Sequence, residues 1–419
     1  MSDIHRTIDA LWHMESARLI ATLARLVRDV GAAEELAQEA LVAALEQWPR
    51  SGIPDNPAAW WMAAAKHRAI DLLRRNQLAK RKLQQIGDQM EPHYLESDPA
   101  DRLDDDVGDD LLRLIFTACH PLLPPDARVA LALRLLGGLT TDEIARAFLL
   151  PEPTIAQRIV RAKRTLAEKQ VPFELPRGPD RAARLASVLE VLYLIFNEGY
   201  TATAGDDWMR PALCEEALRL GRILAGLMPQ EPEVHGLQAL MEIQASRARA
   251  RVSSTGEPVL LLDQNRALWD QLLIRRGLAA LQKAHELSTE PGSYVLQAAI
   301  AACHARALSP DLTDWATIAD LYLQLTRINP SPIVELNRAV ALAMAFGPAA
   351  GLQLVDALSA EESLQRYHLL PSVRGDLLQK LGRLDEARAA FEEAASLTQN
   401  SREQALLRRR AQACELPPR

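Results

Sequence analysis

Alternating runs of β-branched residues are missing from this chain, and nearly every segment repeats its apolar residues at the helical period instead. Ala, Leu, Glu, Arg and Gln dominate, with Pro and Gly as punctuation. The expected fold class is all-α, divided into several helical domains. At 419 residues there is room for two to four domains, and 48% hydrophobic residues supply the cores. A net charge of −7 excludes a globally basic coat, so any nucleic-acid binding must come from local patches. Cys119, Cys214, Cys303 and Cys414 are too widely spaced for a disulfide framework or a zinc motif. Reduced thiols and a cytoplasmic location are expected, with no metal and no cofactor. Neither an N-terminal signal core nor an apolar run of membrane-spanning length is present, so no membrane partner is expected.

The stretch from Asn56 to Arg75 carries the first chemistry. Asn56 and Pro57 read as an N-cap and first helical residue. Trp61, Met62, Ala65, Ala69, Leu72 and Leu73 fall on one arc and face a core. The opposite arc holds Trp60, His67, Arg68, Asp71, Arg74 and Arg75, with Lys66 on the same helix. Indole faces stack on unpaired bases and guanidinium groups bind phosphates, so this arc suits opened or single-stranded nucleic acid. The same pattern also arises if Trp60 packs on a neighbouring helix and the cations are simply solvated.

Upstream, Ser16 to Val30 reads as an amphipathic helix ended by Gly31. Ala33 to Trp48 follows, with Ala37, Leu41, Ala44, Leu45 and Trp48 inward. Glu34, Glu35, Gln38, Glu39 and Glu46 are expected on exposed surface. An acidic face of this kind is either plain solvation or a docking surface for a basic protein. Pro49 to Asn56 reads as a tight loop. Downstream, Asp88 to Asp110 is strongly acidic and carries Pro92, Pro99 and Gly108, as a flexible linker would.

Two more helices, Leu111 to Cys119 and Pro125 to Leu136, precede Gly137-Gly138. Thr140 and Glu143 form a capping box for a short helix ending at Phe148. Leu149-Leu150-Pro151 is a turn, and a second helix starts near Glu152-Pro153-Thr154, which is helix-turn-helix spacing. Ile155, Ile159, Ala162 and Leu166 face inward. Gln157, Arg161 and Arg164 point away, with Thr154 and Arg158 beside them, and these side chains suit base edges in the major groove. Lys163 and Lys169 are placed to contact phosphates.

The acidic helix with Glu34-Glu35-Leu36-Ala37-Gln38-Glu39, the loop and the Trp60 to Arg75 helix resemble region 2 of bacterial sigma factors, closest to the extracytoplasmic-function group. Leu111 to Leu166 resembles sigma region 4. The resemblance implies that Glu34, Glu35, Gln38 and Glu39 touch core RNA polymerase. It implies that the loop with Ser51, Asp55 and Asn56 holds a flipped base of promoter DNA. Trp60, Lys66, His67, Arg68, Arg74 and Arg75 would touch the opened strand, with His67 standing where the family often has asparagine. Thr154, Gln157, Arg158, Arg161, Lys163 and Arg164 would bind the upstream promoter element. No catalysis is implied.

After a second linker at Val171 to Asp180, more than half the protein remains. Asn197-Glu198-Gly199-Tyr200, where Gly199 reads as a helix stop, and Asp263-Gln264-Asn265-Arg266 resemble a subgroup with a C-terminal tetratricopeptide-like extension. A loose repeat supports it: Ile318-Tyr322-Leu325, Ala350-Leu354-Ala357 and Ala387-Phe391-Ala394 recur at 32 and then 37 residues. Such hairpins stack into a groove that takes a protein or peptide partner.

The domains expected are therefore a sigma region 2 helical bundle over 1–87, an acidic linker over 88–110 and a helix-turn-helix domain over 111–170. A linker over 171–182, a helical extension over 183–290 and tetratricopeptide-like repeats over 291–419 complete the chain. The preferred reading is a transcription initiation factor regulated by its extension. The rival is a one-component helix-turn-helix regulator with a repeat-type sensor, which leaves the Trp60 helix unused. An enzyme using Cys119-His120 or Cys303-His304 is disfavoured, because neighbours on a helix point about 100° apart.

Overall fold

A computed structural model describes residues 3–86, 107–201, 209–253 and 257–415. Most of the acidic linker expected at 88–110 lies outside the described residues. The described residues form α-helices and short 3-10 turns, with an isolated antiparallel bridge between Val252 and Pro258. Among the described residues, no helix is long and apolar enough to cross a membrane. The chain forms two compact units, 1–192 and 193–419.

In the first unit, α1 (Asp3–Val27) packs on α2 (Val30–Ser51), on α3 (Pro57–Ile86) and on α4 (Val107–Ala118). The break between α1 and α2 is not at Gly31. Arg28 takes a positive φ of 55°, and Asp29 caps α2 by accepting from the Ala32 amide at 2.8 Å. Gly31 therefore sits inside α2. Pro49 likewise falls within the last turn of α2, so the loop shrinks to Gly52–Asn56. Asn56 does cap α3, its Oδ1 accepting from the Ala59 amide at 3.1 Å. Three indoles build the core here: Trp48 and Trp61 are almost fully buried, 5.1 Å apart, and Trp12 meets Trp61 edge-on at 6.0 Å.

Helices α5 (Pro125–Leu135), α6 (Thr141–Phe148) and α7 (Glu152–Glu168) follow. The expected capping box is present. The Glu143 amide donates to Thr140 Oγ1 at 3.2 Å, and the Thr140 amide donates to Glu143 Oε2 at 2.7 Å. The α6–α7 turn needs no glycine, because Leu149 itself adopts the left-handed conformation. Helix α8 (Pro179–Tyr200) begins where the second linker was expected to end. Its first half belongs to the first unit: Ser187 Oγ donates to the Cys119 carbonyl at 2.6 Å, and Arg184 Nη2 donates to the Phe116 carbonyl at 2.8 Å. The first unit thus runs to Leu192, past the 171–182 linker.

The second unit is a succession of helices: α9 (Pro211–Leu227), α10 (Pro232–Ala245), α11 (Gln271–Leu287), α12 (Ser293–Arg306) and α13 (Trp315–Ile328). Then come α14 (Pro332–Phe346), α15 (Pro348–Leu358), α16 (Leu369–Lys380), α17 (Leu384–Leu397) and α18 (Ser401–Ala413). From α12 onward each helix packs on the next, as stacked hairpins do. The three repeat patterns fall on α13, α15 and α17. Proline opens α9, α10, α14 and α15, where its missing donor costs nothing. The stop expected at Gly199 falls one residue early, since α8 ends at Tyr200. Gly199 is the penultimate residue of α8, and it is small because a Cβ there would stand 2.6 Å from the Cys214 backbone nitrogen.

Candidate nucleic-acid and polymerase interfaces

Helix α7 presents Gln157, Arg161 and Arg164 to solvent on the face away from buried Ile155, Ile159, Ala162 and Leu166. Arg161 makes no ion pair among the described residues. Arg164 pairs with Glu168 at 2.6 Å, and burial plays no part there, so the pair is weak and readily exchanged. Arg158 is half-buried against Asp126 at 3.3 Å, and Thr154 is half-buried too. The recognition-type face is thus exposed at three of the six positions expected.

Lys163, the sixth, is engaged elsewhere. Its Nζ pairs with Glu34 of α2. Arg134 of α5 donates to the same carboxylate at 2.6 Å, and Gln38 Nε2 at 2.7 Å. Glu34 is 2% exposed. This corrects two expectations. Glu34 is not on the exposed acidic face, because two cations from the helix-turn-helix module and its turn-mate Gln38 enclose it. Lys163 is not offered to phosphate, because that carboxylate holds it. Arg134 was missed by sequence reading; its one signal is a cation inside the otherwise apolar Ala-Leu-Ala-Leu-Arg-Leu-Leu run.

The two modules touch elsewhere in the first unit. Arg25 of α1 pairs with Asp110 of α4 at 2.9 Å, and Arg113 donates to Asp110 at 2.6 Å. Asp110, expected in the flexible linker, is instead 1% exposed at the start of α4. Burial pushes its carboxyl up despite Arg25 beside it. Gly138, with φ of 68°, lets the turn approach α1, since a Cβ there would meet Ser16 Oγ at 2.8 Å.

On α2, Glu35 and Glu39 are exposed and Gln38 is half-buried. Glu39 reaches Arg68 of α3 at 3.4 Å, so an expected polymerase contact and an expected DNA contact pair with each other. Arg68 also donates to the Ala64 carbonyl at 3.1 Å. His67, Arg74 and Arg75 are exposed and Lys66 is half-buried. Trp60 is not wholly on the wet side. It is half-buried, meeting Trp48 edge-on at 5.4 Å. In the loop, Asp55 and Asn56 are exposed. Ser51, also exposed, donates to the Gln47 carbonyl at 3.0 Å as the last residue of α2.

Burial governs the two cysteine–histidine pairs. Burial pushes the Cys119 thiol up to about 12, while burial and Arg184 hold His120 down to about 4. A thiol so shifted stays protonated near neutrality. Cys303 is also shifted up by burial, and His304 down to about 4.

Comparison with known proteins gives three family-model matches: Sigma-70 region 2 over residues 11–79, Sigma-70 region 4 over residues 113–166, and a family of unknown function over residues 184–285. The protein R00370 of Rhizobium meliloti is 46% identical over 395 residues, covering 93% of this chain and 91% of that one. The ECF RNA polymerase sigma factor SigK of Mycobacterium bovis is 31% identical over 159 residues, covering 36% of this chain and 78% of SigK. "Probable ECF RNA polymerase sigma factor SigI" of Mycobacterium tuberculosis is 29% identical over 186 residues, covering 44% of this chain and 62% of SigI. Among solved structures, yeast Tom70 aligns over 93% of this chain and 81% of its own at 13% identity, with a TM-score of 0.32, too loose to bear on function.

Proposed function

The chain belongs to the extracytoplasmic-function RNA polymerase sigma factors, a family of initiation factors and not of enzymes, and from that premise we propose how its surfaces divide the work. The exposed residues of α2, Glu35 and Glu39 with Gln38, dock on core RNA polymerase. Ser51, Asp55 and Asn56 receive a base flipped from the promoter. The outward part of Trp60, with Lys66, His67, Arg68, Arg74 and Arg75, stacks on and neutralises the opened strand. Gln157, Arg161 and Arg164, flanked by Thr154 and Arg158, read base edges upstream.

The single observation that carries this division is the outward face of α7, where Gln157 and Arg161 stand exposed, with no side-chain partner among the described residues, on the second helix of the helix-turn-helix. A further consequence concerns Glu34 and Lys163. Both belong to the expected interfaces, yet each occupies the other in the closed first unit. Productive engagement then requires α2 to part from α5 and α7, which frees Glu34 for polymerase and Lys163 for phosphate together. The second unit tunes this activity, taking a protein or peptide partner along its stacked hairpins.

The test is promoter-specific transcription by core polymerase in vitro. The full chain should start transcripts that core polymerase alone does not. Trp60→Ala should reduce permanganate-reactive strand opening more than closed-complex retention on a gel. Equal loss in both steps removes the stacking role. A chain ending after Leu192, which keeps the α8 contacts to Cys119 and Phe116, should differ in activity from the full chain. Identical transcription by the two would sink the regulatory part.

A further inference from the structure

The second unit gathers cations where the sigma function has no use for them. Arg251 lies 3.6 Å from the centre of the Tyr200 ring and donates to the Tyr200 carbonyl at 3.0 Å. Arg247 stands 5.8 Å from the Tyr200 ring and 5.9 Å from the Trp269 ring, between the two. Arg266 lies 5.0 Å from the centre of the Trp269 ring and donates to the His304 carbonyl at 2.7 Å. Tyr200, Trp269 and His304 are all less than 9% exposed, and the three arginines are half-buried.

The arginines differ in what holds them. Arg266 is tied to the His304 and Ala307 carbonyls and to Thr313. Arg247 meets the Tyr200 and Trp269 rings. Its side chain makes no hydrogen bond or ion pair among the described residues, and its buried Nε is without an acceptor. No carboxylate of the described residues pairs with Arg266 either. His304 Nδ1 and Trp269 Nε1 are buried polar atoms without partners beside them. Like charges gathered at half-buried sites repel more strongly than in water. Cation–π contact with two rings returns only part of that. Burial with Arg247 and Arg266 nearby keeps His304 neutral, so its ring adds no further positive charge.

We propose that Arg247, flanked by Arg251 and Arg266 between the Tyr200 and Trp269 rings, is the head of a binding site for a small phosphate-bearing solute. A phosphoryl group carries more than one negative charge and several acceptor oxygens, which matches grouped guanidinium forks better than a single carboxylate does. The unpartnered N–H donors of Arg247 and Trp269 are what such an anion would satisfy. Occupancy would give the second unit a chemical input distinct from polymerase and promoter.

The experiment titrates the full chain with inorganic phosphate and with pyrophosphate by calorimetry, against chloride and acetate at matched ionic strength. Saturable phosphate or pyrophosphate binding is expected, absent with chloride and weaker with acetate. Arg247→Gln should weaken it at least tenfold and Arg247→Lys less, with circular dichroism confirming the fold. A variant-free readout accompanies these: phosphate should protect Arg247 from phenylglyoxal modification, read by mass spectrometry. No saturable binding, equal affinity for acetate, or binding and protection indifferent to Arg247 each overturns the proposal. None of these results depends on transcription activity.

Discussion

Removing Arg134 should unlatch the first unit. Arg134 and Lys163 approach Glu34 from α5 and α7, and Glu34 is 2% exposed. Breaking a buried ion pair by deleting one partner costs about 3–5 kcal/mol, because the remaining charge is left uncompensated. Here the cost is smaller: the Arg134 side chain is 20% exposed, and Lys163 and Gln38 still serve the carboxylate. About 2–3 kcal/mol is reasonable for Arg134→Ala, which shifts the open-to-closed ratio about thirty- to a hundred-and-fifty-fold. Hydrogen exchange should quicken in α7 and in the first turns of α2 around Glu34, but not around Trp48 at the end of α2 or Trp61 of α3. If binding to core polymerase selects the open form, the apparent affinity rises in step until the open form dominates. Glu34→Gln should loosen the latch similarly while removing a carboxylate that polymerase would need, so it should open without gaining affinity. An Arg134→Ala chain with unchanged exchange and polymerase affinity would falsify the latch.

Three other outcomes follow from the geometry. Arg161→Ala should relax base preference in the upstream element by about 1–3 kcal/mol, read by band shifts on base-substituted duplexes; a uniform loss on all sequences would reduce Arg161 to a phosphate contact. Acid should weaken the second unit through His304, which burial holds at about 4 against an ordinary 6.5. A histidine depressed in the folded state contributes stability above its unfolded value and loses it as pH falls toward the folded one, here about 3 kcal/mol across pH 6.5 to 4. Urea unfolding at pH 7 and 4.5 should show a smaller acid loss in His304→Gln; an identical loss refutes it. Gly199→Ala should destabilise by about 1–3 kcal/mol, the clash outweighing the helix preference of about 1 kcal/mol. The opposing atom is the Cys214 backbone nitrogen at 2.6 Å, which cannot swing aside. A higher melting temperature in that variant contradicts the close packing.

Most of the helices were legible because apolar periodicity and proline N-termini act within one segment. The capping box at Thr140 and the α7 faces came through for the same reason. Misreadings cluster where a distant segment decides. Gly31 looks like a helix stop, yet Arg28 takes the left-handed conformation before α2; Gly199 stands next to the end of α8 but is small because α9 approaches it. Trp60 sits on the polar arc of its helix, but Trp48 of α2 reaches it and covers one side. Asp110 reads as the end of an acidic tether until Arg25, far along the chain, draws it into a helix and a core.

Glu34 shows why such errors gather at the site itself. One helix cannot distinguish a carboxylate kept for a foreign cation from one paired with a cation of its own chain, since both sit on the same arc with the same neighbours. A surface evolved to be electropositive toward DNA and one evolved to be acidic toward a protein are complementary to each other as well as to their targets. Joined in one chain, they meet at high effective concentration and will close unless something competes. Glu39 with Arg68 and Glu34 with Lys163 are two instances of that closure among the described residues. The pairing is therefore expected of the free chain and is itself a reason for polymerase and promoter to bind in concert: each partner removes the other's internal competitor. Polymerase binding should then strengthen promoter binding by the factor through which promoter strengthens polymerase binding, and Arg134→Ala, having already opened the latch, should shrink both factors equally.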